Sequence, residues 1–119
     1  MKKIKGILID SESNTVKEVE FENSLTSYYD MIKCDCVTTV LYDNKHDLIL
    51  DDEGLLKSPI KGFFEISDVG EFAGNGVIVS FNAKGEWGPH KLNVDEVKKR
   101  VKFFQFVNLN GSILKVYLS

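Results

Sequence analysis

The sequence is poor in several residue types, and each shortage argues against a class of protein. Its 119 residues include two cysteines, two prolines, one tryptophan and a single arginine, Arg100. Two cysteines are too few for the disulfide framework of a small secreted domain. One arginine and a pI of about 5.4 are unlike the basic face that nucleic-acid binding needs. We therefore expect no direct binding of nucleic acid.

Long apolar runs are missing as well. No segment approaches the roughly 18–20 apolar residues that a membrane span needs, and no basic stretch followed by an apolar one indicates a signal peptide. We therefore expect a cytoplasmic protein without membrane contact, in which both cysteines stay reduced. A chain of this length is expected to form one domain, 1–119, without a linker.

The net charge is small, but it is unevenly distributed. The chain carries a formal charge of −3 in total, with −5 over residues 1–60 and +2 over residues 61–119. An excess of this size does not by itself make a nucleic-acid mimic. It is compatible with an anionic surface that contacts a basic protein.

Apolar periodicity predicts three hairpins. "KIKGILID" and "TVKEVEF" flank the turn "SESN", and "CDCVTTVLY" and "LILDD" flank "DNKHD". "QFVNL" and "ILKVYL" flank "NGS", and "GVIVSFNA" (76–83) is a further strand. "DEGLLKSPIKG" is interpreted as a loop punctuated by Gly54 and Pro59, and "GNG" (74–76) as a turn.

Two short helices complete the predicted elements. Ser24 is a candidate N-cap, followed by Leu25, Tyr28, Tyr29 and Ile32 on one helical stripe. Asn93 and Glu96 resemble a capping box, followed by Val94, Val97, Val101 and Phe104. The sequence therefore predicts an α+β fold, a largely antiparallel sheet of hairpins with helices at about 24–33 and 94–104.

Cys34 and Cys36, in "KCDCV", are the strongest candidates in the chain for metal binding or redox chemistry. On a strand they would point to the same face and could share a metal with His46, ten residues further on. The spacing lacks the C-x-x-C of common zinc and redox sites. We interpret the pair as packed strand residues, and a metal site with His46 stays the alternative. No cofactor is expected.

Partner-binding candidates lie at an acidic run and at the tryptophan. Asp51, Asp52 and Glu53 are interpreted as a solvated turn, and also as a possible contact surface for a basic partner. The run does not match an EF-hand loop, because Leu48 and Gly54 stand where glycine and glutamate are needed. Trp87 lies in the polar segment "KGEWGPH", where it either folds back as a lid or anchors a partner.

Motifs of catalysis are not visible. "GNG" precedes a strand and lacks the phosphate-binding pattern, and His90 has no nucleophile motif beside it. We therefore expect a protein that is not an enzyme.

Several segments together resemble a family of small proteins known only as a domain of unknown function. They are "KIKGILID", "YYDMIKCDCV", "LDDEGLLKSP", "GNGVIV" and "LNVDEVKKRVKFF", in the family's order over about residues 3–104. The final "QFVNLNGSILKVYLS" extends past the resemblance. Members of that family occur in phages, plasmids and other mobile elements, so the resemblance implies an accessory protein of such an element and brings no catalytic residues.

The leading functional hypothesis follows from this resemblance and from the acidic first half. It is a protein that binds a host or mobile-element protein, such as an inhibitor of a host defence nuclease of the anti-CRISPR or anti-restriction type. The alternatives are a metal- or ligand-binding regulator that uses Cys34 and Cys36, and a structural homodimer whose hairpins pair edge to edge.

Overall fold

The structure is a computed structural model that describes residues 2–54 and 62–118. These ranges contain ten strands: β1 (Lys3–Asp10), β2 (Thr15–Glu22), β3 (Val37–Asp43), β4 (His46–Asp51), β5 (Phe63–Ile66), β6 (Gly70–Ala73), β7 (Gly76–Phe81), β8 (Trp87–Gly88), β9 (Val101–Leu109) and β10 (Ser112–Leu118). Two helices are α1 (Leu25–Ile32) and α2 (Val94–Arg100). All strand pairs are antiparallel, which confirms the predicted α+β class.

The larger sheet, sheet A, has the order β2-β1-β7-β4-β3, with β8 paired to β7. It contains the first two predicted hairpins, and β7 lies between them at the centre. β7 is apolar and buried on both sides because Val77 and Val79 face one way and Ile78 faces the other. A strand buried on both faces shows a continuous apolar run, as "GVIV" does.

The smaller sheet, sheet B, has the order β10-β9-β5-β6. It contains the third predicted hairpin, joined to the short pair β5–β6, which was not predicted. Each strand of that pair has four residues, so its alternation is too brief to stand out. β8, with two residues, was missed for the same reason.

Two apolar cores separate three layers. One core lies between sheet A, sheet B and α2, and includes Ile9, Leu48, Phe64, Val97 and Phe103. The other lies between sheet A and α1, and includes Leu8, Phe21, Tyr28, Ile49 and Val79. Sheet A is therefore the central layer, with sheet B and α2 on one face and α1 on the other.

The prediction for α1 is confirmed within a residue at each end. The Ser24 side chain accepts a hydrogen bond from the Ser27 N–H, and Lys33 ends the helix in the left-handed conformation at φ 63°. The prediction that α2 extends to residue 104 is wrong, because the helix ends at Arg100. Val101 and Phe104 instead pair with Ile66 and Phe63 of β5, so sheet hydrogen bonds replace the last helical turn.

The Asn93 side chain caps α2 by accepting a hydrogen bond from the Glu96 N–H at 3.2 Å, as the sequence predicts. The loop predicted over 52–62 lies mostly outside the described residues, and Pro59 is among those not described. The turn predicted at "GNG" is confirmed, since Gly74 has φ +83° and β7 begins at Gly76.

Candidate functional site

The Cys34–Cys36 corner differs from the predicted strand. β3 begins only at Val37, because the left-handed Lys33 turns the chain and the Cys34 N–H bonds back to the Tyr29 carbonyl at 3.1 Å. Cys34 is buried against α1 and Cys36 is exposed, and both are thiols. The two cysteines therefore do not share one face, and the prediction that both lie in a strand is wrong.

His46 lies at the other end of the β3–β4 hairpin from these cysteines. Asp43 pairs with His46, whereas Val37 pairs with Asp51, so five residues of β4, about 17 Å, separate the two ends. The register therefore does not bring His46 to the cysteine corner. Among residues 2–54 and 62–118, no three His, Cys, Asp or Glu side chains are grouped so that they could hold a metal ion.

His46 has a structural environment of its own. Its Nε2 accepts a hydrogen bond from the Lys91 N–H at 3.1 Å, so the ring proton lies on Nδ1, 2.9 Å from the Asp43 carboxylate. Burial favours a raised pKa for Asp43, but hydrogen bonds from the Lys45 N–H and the His46 ring outweigh it and lower the pKa. His46 thus fastens the segment around Lys91 to sheet A.

His90 holds the same segment from the other side. Its Nδ1 accepts from the Leu92 N–H at 3.1 Å, so Nε2 carries the proton and donates to Glu18 at 2.6 Å. The His90 N–H donates to the Lys5 carbonyl. Both histidines have packing and hydrogen-bonding roles in this fold, and neither contacts a nucleophile in these bonds.

Trp87 is half-buried and folds back onto sheet A. Its ring lies edge-on to Tyr28 with centroids 4.9 Å apart, and its Nε1 donates to the Asp47 carboxylate at 3.0 Å. Burial raises the pKa of the Tyr28 hydroxyl, which donates to the Asn23 side chain. Of the two interpretations of Trp87, this geometry favours the lid over the anchor.

The acidic run 51–53 forms a fixed corner at the end of β4. The Asp51 carboxylate accepts a hydrogen bond from the Glu53 N–H at 2.9 Å, and the Asp52 N–H donates to the Cys36 carbonyl at 3.0 Å. The side chains of Asp52 and Glu53 are exposed. The sequence thus located a real anionic corner, whose backbone is held by two hydrogen bonds.

A pocket of about 450 Å³ lies beside this corner, between the outer strands β3 and β6. Asp51, Asp52 and Glu71 contribute its acidic lining. Glu71 already forms an ion pair with Lys115, so the corner supplies most of the remaining charge. The pocket also has an apolar lining, formed by Val40, Leu50, Phe72 and Ala73.

Sequence reasoning missed the β6 side of this pocket. Glu71 and Phe72 lie in "GEFA", a strand of four residues that pairs with β5. The signal was the apolar alternation of "FFEI" and "GEFA" on either side of the short turn "SDV". Nothing in the local sequence indicates that β6 lies beside Asp51, because sheet packing brings them together.

The comparison with protein families identifies the family of this chain. A family model described as a domain of unknown function, DUF3846, matches residues 4–102. The chain belongs to the DUF3846 family. This DUF3846 chain matches no curated protein and no solved structure.

The DUF3846 match includes the acidic corner and β6, and it ends at the second residue of β9. Most of the β9–β10 hairpin therefore lies beyond it. The expected family resemblance is confirmed for most of its predicted length. No helix of this DUF3846 protein, within the described ranges, is long and apolar enough to cross a membrane.

Proposed function

We propose that this DUF3846 protein is not an enzyme and acts by binding a basic protein at the acidic corner. The observation that supports the proposal is the pocket between β3 and β6, which combines an apolar lining with carboxylates. A lysine or arginine side chain fits such a site, because its methylene stem packs on apolar surface while its charged head meets the carboxylates. The pocket volume of about 450 Å³ lies within the range of about 300–1,000 Å³ that is typical of ligand-binding clefts, so it has room for one such side chain.

The charge distribution supports a basic partner. Asp52 and Glu53 are exposed at the corner, and the first sixty residues carry a net charge of −5. An anionic surface steers a cationic partner toward it and disfavours an anionic one such as nucleic acid.

The family resemblance suggests which basic protein is the partner. Because the family resemblance implies a mobile element, the partner that we propose is a host defence nuclease of the CRISPR or restriction type. Such enzymes carry basic channels for nucleic acid, and lysine or arginine side chains there have the chemistry that the acidic corner accepts. An occupied channel would exclude the nucleic acid, so the protein would act as an inhibitor.

Charge reversal of the corner tests this proposal. The variant Asp52→Lys/Glu53→Lys leaves Asp51 unchanged, because the Asp51 carboxylate holds the turn. We expect this variant to bind purified host defence nuclease complexes at least about tenfold more weakly than the wild type. Binding is measured by affinity capture on the tagged nuclease and quantified by titration.

The matched control is Glu20→Lys/Glu22→Lys, which changes the net charge equally. Both glutamates are exposed on β2, the strand at the opposite edge of sheet A from β3. Equal weakening by both variants would mean that only overall charge matters, and the acidic corner would then not be the binding site. If no nuclease binds the wild type, the nuclease proposal is wrong.

The regulator that would use Cys34 and Cys36 is the competing hypothesis. The structure separates these cysteines by burial and places His46 at the far end of the hairpin. A stoichiometric metal in protein purified without chelator or affinity tag, lost in a Cys34→Ser variant, would favour the regulator.

A further inference from the structure

The β9–β10 hairpin extends beyond the core that anchors its base. Phe103, on β9, and Leu118, on β10, form a cross-strand pair that packs in the core between the sheets. From this pair the ladder continues without a register shift to Leu109 and Ser112, and Asn110 and Gly111 form the turn. Both turn residues have positive φ, as a tight two-residue hairpin turn needs.

Both faces of the extended part are apolar and exposed. By strand alternation, Val107, Leu109, Leu114 and Val116 lie on the same face as the anchoring pair. Phe106, Ile113 and Tyr117 lie on the opposite face. These seven side chains are between 41% and 65% exposed. A two-stranded hairpin without a second layer is marginally stable in water. An exposed apolar surface of this kind marks a site of interaction with another molecule.

β10 is also an unprotected sheet edge. It is the outer strand of sheet B, and within the described strand there is neither a proline nor a bulge. Lysine usually protects an edge by projecting into solvent. Here the Lys115 ammonium lies over the sheet, 4.3 Å from the centre of the Phe104 ring and 2.7 Å from the Glu65 carboxylate.

We propose that β10 pairs antiparallel with β10 of a second copy of this chain, giving a two-fold dimer with a continuous eight-stranded sheet. Antiparallel pairing of one strand with its own copy is self-complementary, so the contact closes at two subunits. A charged partner is disfavoured, because residues 103–118 contain Lys115 as their only charged residue and Glu65 and Glu71 already pair with it.

The apolar side chains of β10 lie at the proposed contact. Ile113, Leu114, Val116 and Tyr117 are between 41% and 65% exposed, and antiparallel pairing of β10 with its copy places them beside apolar side chains of the second β10. Phe106, Val107 and Leu109 lie one strand further in, on β9, so the contact is formed by the backbone and side chains of β10.

The proposed dimer leaves the acidic corner accessible. The corner pocket is lined by β6, whereas the dimer contact uses β10, and these are the two opposite edges of sheet B. The two strands are separated by β9 and β5, about 14 Å at the usual strand spacing. The dimer contact and the acidic corner are therefore separate, so dimerisation does not compete with the partner proposed for the corner. A dimer would present two acidic corners.

Mass measurement across a dilution series of the full chain tests the dimer. We expect a mass twice the 13.5 kDa of one chain at micromolar concentrations, falling toward one chain on dilution. The backbone amides of residues 112–118 should exchange hydrogen more slowly as the dimer forms. Ile113→Lys places an ammonium group in the apolar contact in each copy, and its loss of water costs free energy, so the dissociation constant should rise at least about tenfold.

The matched control is Leu41→Lys. Leu41 is 62% exposed on β3, the outer strand of sheet A, and Ile113 is 65% exposed on β10. A wild type that stays monomeric at about 100 µM would overturn the proposal, whatever the variants do. Equal weakening by both lysine variants, or unlimited growth into larger species, would also overturn it. Asp52→Lys/Glu53→Lys should keep the dimer, so failure of the dimer and failure of the acidic corner can be told apart.

Discussion

At the scale of single residues, Asn75 shows how a buried polar side chain joins distant segments. Its Oδ1 accepts from the Ser11 N–H at 3.0 Å, and its Nδ2 donates to the Met31 carbonyl at 3.1 Å. The Ser11 hydroxyl donates in turn to the Gly74 carbonyl. Asn75 thus connects the end of β1, the end of α1 and the start of β7, and it satisfies backbone groups that water cannot easily reach.

We predict that Asn75→Ala lowers the free energy of unfolding by about 2–4 kcal/mol, because it leaves the buried Ser11 N–H and the part-buried Met31 carbonyl without their hydrogen bonds. Urea denaturation measures the change. Asn82→Ala is the control: Asn82 also hydrogen-bonds two backbone N–H groups, of Lys84 and Glu86, but it is exposed. The control should cost less than about 1 kcal/mol, since water replaces the lost bonds. Equal losses would show that burial of Asn75 is unimportant.

The role of Asn75 could not be predicted from the sequence. "GNG" was correctly interpreted as a turn, but the partners of Asn75 lie 64 and 44 residues away along the chain. A local pattern contains no information about such partners. The same reason explains why the sequence left a metal site of Cys34, Cys36 and His46 open as an alternative, although the register of β3 and β4 keeps His46 away from the cysteines.

At the scale of secondary-structure elements, local sequence signals predicted where the helices start better than where they end. Ser24 and Asn93 cap the two helices as predicted, because a cap depends on residues within one turn. The end of α2 was misjudged, because Val101 and Phe104 fit a helical stripe as well as a strand. Pairing with β5 decided between the two, and that pairing joins residues far apart in the chain.

Trp87 of the short strand β8 packs on Tyr28 of α1. We expect Trp87→Ala to lower the free energy of unfolding by about 2–3 kcal/mol, because it removes the ring packed on Tyr28. Trp87→Phe keeps an aromatic ring but loses the hydrogen bond to Asp47, so it should cost about 1 kcal/mol. Thermal and urea unfolding measure both changes.

Leu41→Ala is the control for Trp87, because Leu41 is exposed on sheet A and should change stability by less than about 0.5 kcal/mol. If Trp87→Ala is as neutral as this control, Trp87 is not a lid. The interpretation of Trp87 as a partner anchor would then gain support.

At the scale of the whole molecule, an ionic cluster connects the β9–β10 hairpin to strands within the family match. Lys115 of β10 reaches Glu65 of β5 and Glu71 of β6, and the Tyr117 hydroxyl donates to Glu65 at 2.9 Å. The cluster thus spans all of sheet B, from the strand outside the family match to the strand beside the acidic pocket. Hydrogen bonds from Lys115, and then from Tyr117, hold the pKa of Glu65 below its ordinary value of 4.5.

This lowered pKa predicts how stability depends on pH. A carboxylate whose pKa is lower in the folded state contributes stability above its unfolded pKa and loses that contribution as the pH falls through the folded value. We therefore expect the free energy of unfolding of the wild type to fall more steeply than that of Glu65→Gln between about pH 5 and about pH 2. Urea denaturation at a series of pH values gives the two slopes.

Glu20→Gln, at an exposed position of β2, is the control for the pH series and should keep the slope of the wild type. A slope for Glu65→Gln equal to that of the wild type would contradict a stabilising role of the cluster in sheet B.

The sequence by itself determined the local features of this protein. It fixed the three hairpins, both helix caps, the acidic corner and the family of the chain, because each depends on neighbouring residues or on segment order. Tertiary structure alone decided that β7 joins two hairpins, that β6 completes the pocket and that Lys115 crosses sheet B. These contacts join residues far apart in sequence, where packing and hydrogen-bond pairing, rather than local preference, select the partner.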